Sequence, residues 1–497
     1  MTREPTDPPP TRASDNAADA RDRDGLRGRF LQTPEGIFLW LGLLSGVVSL
    51  LVTPPFQVPD EQVHFFRAYQ LSQGHVVAEH LNGQTGGHLP KSVPETVDRL
   101  LAPLAGRPEE KVDLEAVTRL MTLPLNRTET RFVAFESSAV YSPIPYLPQV
   151  LGISIGKLFD LSPLALLYLA RLSSLVVAVS LLCLAIRTVP ILKWSYFLIA
   201  VSPMAMFQMA SVSADGFTVG IALLVSALLA RYASSAATVT GGRLLVLTAA
   251  ATLLTLSKQY LLIPLLYFMI PWEKVGSPRR YVGFFLVLIG ACALGLAAWL
   301  TLVRSVYVPV GWVPGVDPAA QARLILSSPL AFLELALTDY LSSMPGYVDQ
   351  MTGRYLGWVD TELPLALIRS HQVLLVLTAV LDTRSGIRVT WTQRGVALAV
   401  LCANMLLVST LLYLSNNPVG APTVVGIQGR YFIPLLPLFL LVLHNGRLGV
   451  SNERLGPGQV AGIYFRAAIC LYAVLVSLVT IHTLVERYYG FAPAGVM

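Results

Sequence analysis

The run GIFLWLGLLSGVVSLLVT, Gly36 to Thr53, passes without a break into PPFQVPDEQVHFFR, Pro54 to Arg67. The first segment holds no charge and is about 27 Å long as a helix, close to a hydrocarbon core of about 30 Å. The second sets two acids, Asp60 and Glu61, directly against the membrane surface, with His64 and Arg67 one and two helical turns further on. A carboxylate pair at that depth is costly unless it caps, pairs or does chemistry.

Further apolar blocks follow. The 497 residues are 54% hydrophobic and 13% charged, against about 25% charged in a soluble chain. The class is all-α, a polytopic membrane protein. Eleven spans are expected, at about 36–53, 163–186, 191–209, 215–232, 243–256, 259–272, 281–303, 363–381, 395–414, 431–444 and 461–484, the fifth and sixth short enough to form one bent hairpin. Residues 1–33 are polar and rich in Pro, Asp and Arg, which predicts a disordered cytoplasmic tail. No small-residue cleavage site follows the first block, so it reads as a retained helix. Residues 34–490 form one transmembrane domain.

The net charge of +6 is spread over loops, with no basic stripe and interleaved aromatics, so nucleic acid is not a partner. Placing the tail in the cytoplasm puts its six arginines, and loop cations from Arg187 to Arg454, on the inside. The short outer loops then keep only Lys258 and Arg430, as the positive-inside rule requires. Cys183, Cys292, Cys402 and Cys470 all fall in apolar blocks without metal or disulfide spacing. Two outer loops are long, 54–162 and 304–362. The first ends in Tyr141–Phe159, an amphipathic stretch too short and too Pro-broken to span. The second mixes Trp312, Trp358 and several tyrosines with an apolar stretch near Pro329–Leu341.

The polar clusters that are not simple inside markers all fall on the outer face. They are Asp60, Glu61, His64 and Arg67; Ser211–Asp215, with Ser213 and Asp215; Ser257–Tyr260, with Lys258; and Gln428–Phe432, with Gln428, Arg430 and Tyr431. Arg171 lies in the outer half of the second span and needs an acidic or phosphate partner. Each cluster also has a structural reading. Pro59 with two acids is a good helix start, Asp215 sits where a helix begins, and Lys258 could snorkel.

The convergence suits transfer from a lipid-linked phosphate donor. Arg or Lys would hold the phosphate, a carboxylate would take the proton of an attacking hydroxyl, and the same cations would stabilise the leaving phosphate. No GxxxxGK[ST] loop is present, and a lipid-borne donor needs none. A lipid-linked glycan transporter or polymerase is the alternative. It would show mid-membrane acids or two symmetric halves, and neither is visible.

The motifs PPFQVPDEQVHFFRA (54–68), YSPIPYLPQ (141–149), ARLSS (170–174), PMAMFQMASVSADG (203–216) and QGRYFIP (428–434) resemble a bacterial polytopic membrane family. It is the domain-of-unknown-function 2142 family, grouped with the GT-C glycosyltransferases, and the likeness spans about 36–485. The resemblance implies an inverting transfer of sugar from a polyprenyl-phosphate donor to an acceptor, outside the bacterial cytoplasmic membrane. The essential acid would be Asp60 or Glu61. Arg171, Lys258 or Arg430 would contact the polyprenyl phosphate. His64, Arg67, Tyr141, Ser213, Asp215, Gln428 and Tyr431 would support the site or bind the acceptor. About a dozen residues follow the last span, which favours a glycan or lipid acceptor over a protein. Some relatives use a divalent cation, Mg or Mn. Asp60, Glu61 and Asp215 could supply oxygen ligands, although no motif demands a metal.

Overall fold

The computed structural model describes residues 32–258, 260–308, 313–382, 387–445 and 457–490. The expected tail lies outside them, apart from Gln32 and Thr33, as does Trp312. The expected all-α architecture is what the chain adopts, with two small sheets added.

Helix starts repeat one device, Ser or Thr followed by Pro. Thr33 accepts from Gly36 N at 3.2 Å ahead of Pro34–Val52, Ser162 from Ala165 N at 3.2 Å ahead of Pro163–Thr188, and Ser277 from Arg280 N at 3.3 Å ahead of Pro278–Val303. The hydroxyl satisfies an orphan N–H, and proline loses nothing at the first helical position.

Each of the eleven expected apolar segments is helical, but they differ in length. Six helices among the described residues are long and apolar enough to cross a membrane: Pro34–Val52, Pro163–Thr188, Asp215–Ser234, Pro278–Val306, Trp391–Asn416 and Gly462–Tyr489. Gly241–Ser257, Leu365–Leu381 and Gly429–Leu443 are shorter. The remaining two expected spans are not continuous α-helices. Residues 191–209 divide into Lys193–Val201 and Pro203–Met209, and 259–272 contains the 3-10 stretch Ile263–Met269. Proline explains the departures. Pro203, Pro264 and Pro434 lack the donor that a continuing helix needs, and the chain tightens to 3-10 geometry around Pro264 and Pro434.

Helix ends alternate between two faces of the bundle. At one end Lys274 Nζ donates to Ala233 O (2.6 Å) and Ser235 O (2.7 Å), and Asp382 accepts from Trp194 N (2.7 Å). At the other, Tyr260 OH donates to Tyr431 O (2.8 Å), and Ser142 Oγ to Leu256 O (2.5 Å). Asp215–Ser234 runs through the centre, with 89% of its span buried, whereas Pro278–Val306 is 22% buried and faces the surroundings.

The long first loop is more structured than its polar composition predicts. After the motif helix Glu61–Ser72, which ends just before Gly74 (φ 88), come strands β1 (Glu79–Leu81), β2 (Gln84–Pro90) and β3 (Thr130–Ala134). They form an antiparallel sheet in the order β1-β2-β3, with Gly86 opposite both Glu79 and Ala134. The expected surface helix is Leu147–Leu158. Its Leu147, Leu151, Ile155 and Leu158 are exposed on one face. Gly152 and Gly156 lie on another, where a Cβ would come within 2.4 Å of Leu169 O and Leu166 Cδ2. This small-xxx-small pairing lets the helix press against Pro163–Thr188.

The second loop is largely helical. Pro318–Ser327 and Pro329–Thr352 meet at 104°, extending the apolar stretch expected at 329–341. Beyond them Tyr355–Leu356 and Thr361–Glu362 form a two-stranded hairpin.

Candidate functional site

Two ion-pair systems sit side by side at the end of the bundle that carries the loops. The first is closed. Glu61 and Arg171 are both 0% exposed, joined through Arg171 Nε to Oε1 (2.8 Å) and Nη2 to Oε2 (2.6 Å). Glu61 also accepts from Phe56 N (2.9 Å) and Val212 N (2.9 Å). Arg171 donates further to Leu50 O (3.1 Å), Thr53 O (2.7 Å) and Pro54 O (3.0 Å). Every direction in which either group could meet a substrate is filled. Glu61 and Arg171, expected as acid and phosphate contact, instead join the first two spanning helices to the 210s loop.

The fixed pair holds a strained turn. Phe56 (φ 64) and Asp60 (φ 66) are both left-handed, an uncommon conformation for residues other than glycine. Such strain persists where surrounding bonds over-determine it, and it concentrates at functional sites. Its result is that adjacent acids point apart. Glu61 turns inward, while Asp60 remains 46% exposed at its side chain.

The second system is open. Asp215 pairs with Lys258 Nζ and lies 3.6 Å from Arg430 Nε, and Arg430 Nη2 reaches Asp60 Oδ2 at 3.2 Å. Asp215 is the first residue of its helix, where the sequence placed a helix start. Lys258 Nζ stands 5.7 Å from the Tyr141 ring and 5.3 Å from the Tyr431 ring. Close backbone approach sets Arg430 in place: a Cβ on Gly429 would meet Tyr347 O at 2.3 Å and Met351 N at 2.4 Å.

Two cavities meet here. The larger, about 460 Å³, is lined by Asp60, His64, Glu136, Tyr141, Lys258, Arg430 and Tyr431, with an apolar side from Leu411, Leu412, Val425 and Val308. The smaller, about 340 Å³, is lined by Asp60, Gln208, Gln350, Tyr355, Trp358, Gln428 and Arg430. Asp60, Gln428 and Arg430 border both. His64 bonds to Tyr146 OH through Nδ1 at 2.7 Å. Burial lowers its pKa to about 4 against the opposing pull of Asp60, so it is neutral near pH 7.

The structure thus assembles Asp60, His64, Tyr141, Asp215, Lys258, Gln428, Arg430 and Tyr431. Two supporting residues line neither cavity but bond to residues of the site. Arg67 is fully buried, with its guanidinium on Gln70 Oε1 (2.6 Å), Val76 O (2.8 Å) and Tyr141 O (3.2 Å). Ser213 Oγ accepts from Asp215 N (3.3 Å) and Ser211 Oγ (3.3 Å) and lies 3.5 Å from Gln208 O. The sequence reading missed Gln208, Gln350, Tyr355 and the half-buried Glu136. Gln208 stood inside a quoted motif, while the others carry no local pattern.

The acids expected as oxygen ligands are otherwise engaged. The oxygens of Glu61 are saturated, and Asp215 and Asp60 already face cations. Among the described residues no group of three His, Cys, Asp or Glu is placed to hold a metal ion.

The family model described as "Predicted membrane protein (DUF2142)" matches residues 43–439, four-fifths of the chain. The chain belongs to the DUF2142 family. As a DUF2142 member with six long apolar helices, it is a membrane protein. None of the curated proteins matches it. Among solved structures, ArnT from Cupriavidus metallidurans, bound to undecaprenyl phosphate, is similar at a TM-score of 0.44 and 12% identity, covering 91% of this DUF2142 chain and 77% of that one.

Proposed function

We propose that this DUF2142 protein is a GT-C-type glycosyltransferase that moves a sugar from a polyprenyl-phosphate donor to a glycan or lipid acceptor. The observation carrying this reading is that Asp60 and Arg430 stand between two cavities. The larger combines Lys258 and Arg430 with an apolar wall, which suits a phosphate on a lipid tail. The smaller, with its glutamines and aromatics, suits a hydroxyl-bearing acceptor.

In this mechanism the acceptor hydroxyl enters from the smaller cavity and attacks the anomeric carbon of the donor sugar. The new C–O bond forms as the bond from that carbon to the phosphate oxygen breaks, inverting the centre. The hydroxyl proton passes to Asp60. Negative charge gathers on the leaving polyprenyl phosphate, facing Lys258 and Arg430 in a largely desolvated setting. Asp215 and the rings of Tyr141 and Tyr431 hold Lys258 in place. Neutral His64, fixed by Tyr146, lines the donor side. No step requires a metal.

The loop-charge bias supports an external face for this site and a cytoplasmic N-terminus. The test is lipid-linked glycan profiling of a deletion strain complemented with wild-type or Asp60→Asn protein. The Asp60→Asn strain is expected to accumulate the same truncated glycan as the deletion. Restoration of the full glycan would overturn the reading.

A further inference from the structure

The hairpin that walls the smaller cavity is held in an unusual way. Between its short strands, Gly357 (φ 58) and Val359 (φ 64) are left-handed, and the second is a β-branched residue for which that conformation is a strained outlier. Val359 and Trp358 both line the cavity. Two long-range bonds hold the turn. Trp358 Nε1 donates to Phe56 O at 3.1 Å, tying the indole to the strained loop that carries Asp60. Asp360 Oδ2 accepts from Arg487 Nη2 at 2.8 Å, with both side chains under a tenth exposed.

Arg487 belongs to the last turn of the final helix, Pro457–Tyr489. Its guanidinium also donates to Glu110 O (2.8 Å), Arg107 O (2.9 Å) and Leu104 O (3.2 Å) of the first loop. Lys111 Nζ answers by donating to Arg487 O at 2.8 Å. One side chain therefore joins the last spanning helix, the first loop and the Trp358 hairpin. Strain kept by so specific a clamp points to a task for the residue it displays.

The cavity chemistry indicates the task. Gln208, Gln350 and Gln428 surround the space. Amide side chains both donate and accept, matching hydroxyl groups that do the same. Gln350 is oriented by Gly429 N, 3.0 Å from its Oε1. An indole beside such groups suits the apolar C–H face of a sugar ring, and Met204, Phe207, Leu356 and Ile427 complete the lining.

We propose that Trp358 is the stacking platform for a saccharide ring of the acceptor, and that Arg487 is the positioning residue that holds it there. The proposal deepens the transfer reading by naming the acceptor's chemistry, and it rests on that reading.

Hydrogen exchange on the full-length protein in lipid nanodiscs tests it without turnover. Asp360→Asn removes the ion pair and keeps Arg487 on its three carbonyls. It is expected to speed exchange across 355–362 about tenfold while leaving the motif helix 61–72 unchanged. Unchanged exchange at 355–362 overturns the clamp. Methyl glycosides of glucose, mannose, galactose and arabinose serve as probes. At least one is expected to slow exchange at 355–362 in the wild type and in Trp358→Phe, but not in Trp358→Ala. Protection that survives in Trp358→Ala, or that no glycoside produces, overturns the platform. Undecaprenyl phosphate alone is expected to protect 136–141 and spare 355–362; protection of the hairpin by this lipid would contradict the saccharide assignment. The exchange results stand or fall independently of glycan profiling. Failure of Asp60→Asn to truncate the glycan would remove the transfer reading while leaving the clamp and the glycoside contact measurable.

Discussion

Glu61 and Asp60 are neighbours in the chain and opposites in the fold. Glu61 is enclosed, bidentate to Arg171 and filled by two backbone donors. Asp60 is half exposed, touches one guanidinium and borders two cavities. The contrast separates two uses of a buried ion pair. A pair whose every lone pair and proton is matched fixes geometry and leaves nothing for a substrate. A pair on a cavity wall, with room beside it, can trade its partner for a phosphate or a hydroxyl. The first makes the second possible, because the Glu61 bonds hold the left-handed turn that directs Asp60 outward.

Perturbations should divide along the same line. The largest effect belongs to the closed node. Arg171→Met leaves the Glu61 charge buried without its partner, a loss of about 3–5 kcal/mol. Thermal unfolding and size-exclusion profiles in detergent should show a strongly destabilised protein.

Acidification comes next. His64 titrates near pH 4 in the folded chain and near 6.5 when unfolded. The unfolded chain therefore takes up its proton first as pH falls. Stability is fully present above pH 6.5 and falls by roughly 3 kcal/mol on the way to pH 4. His64→Gln should flatten that part of the pH–stability curve; an unchanged slope would assign it to other groups.

Lys258→Ala removes one cation from the larger cavity. Loss of a charged hydrogen bond of about 1.5–3 kcal/mol should weaken binding of undecaprenyl phosphate more than tenfold, measured by calorimetry. The smallest effect falls on a pair away from both nodes. Arg369 is half exposed beside Asp349, and Arg369→Ala should cost under about 1 kcal/mol and leave ligand binding unchanged.

Much of this arrangement was legible in the chain. Hydrophobic block length located the six long apolar helices, and loop charge gathered Asp60, Asp215, Lys258 and Arg430 at one end. What escaped has physical reasons. Block length does not register how Pro203, Pro264 and Pro434 shorten a helix. Two adjacent acids at a helix start look alike until the turn before them is known, and the left-handed Phe56 and Asp60 precede a Glu61 held by long-range bonds to Arg171 and Val212. Arg171 needed a partner, as its depth required, but that partner was Glu61 rather than a lipid phosphate. The sheet of the first loop and the Trp358 hairpin rest on strands of two to seven residues, too short for alternation to mark them all.

The most direct test sets Asp60→Asn beside Glu61→Gln and measures thermal unfolding and lipid-linked glycan transfer on both. Asp60→Asn should unfold at the wild-type temperature and lose transfer by at least about a hundredfold. Glu61→Gln should lose stability, with Arg171 left buried against a neutral amide. An Asp60→Asn protein with wild-type transfer, or a Glu61→Gln protein that keeps full stability and loses only transfer, would contradict the division of roles between the two acids.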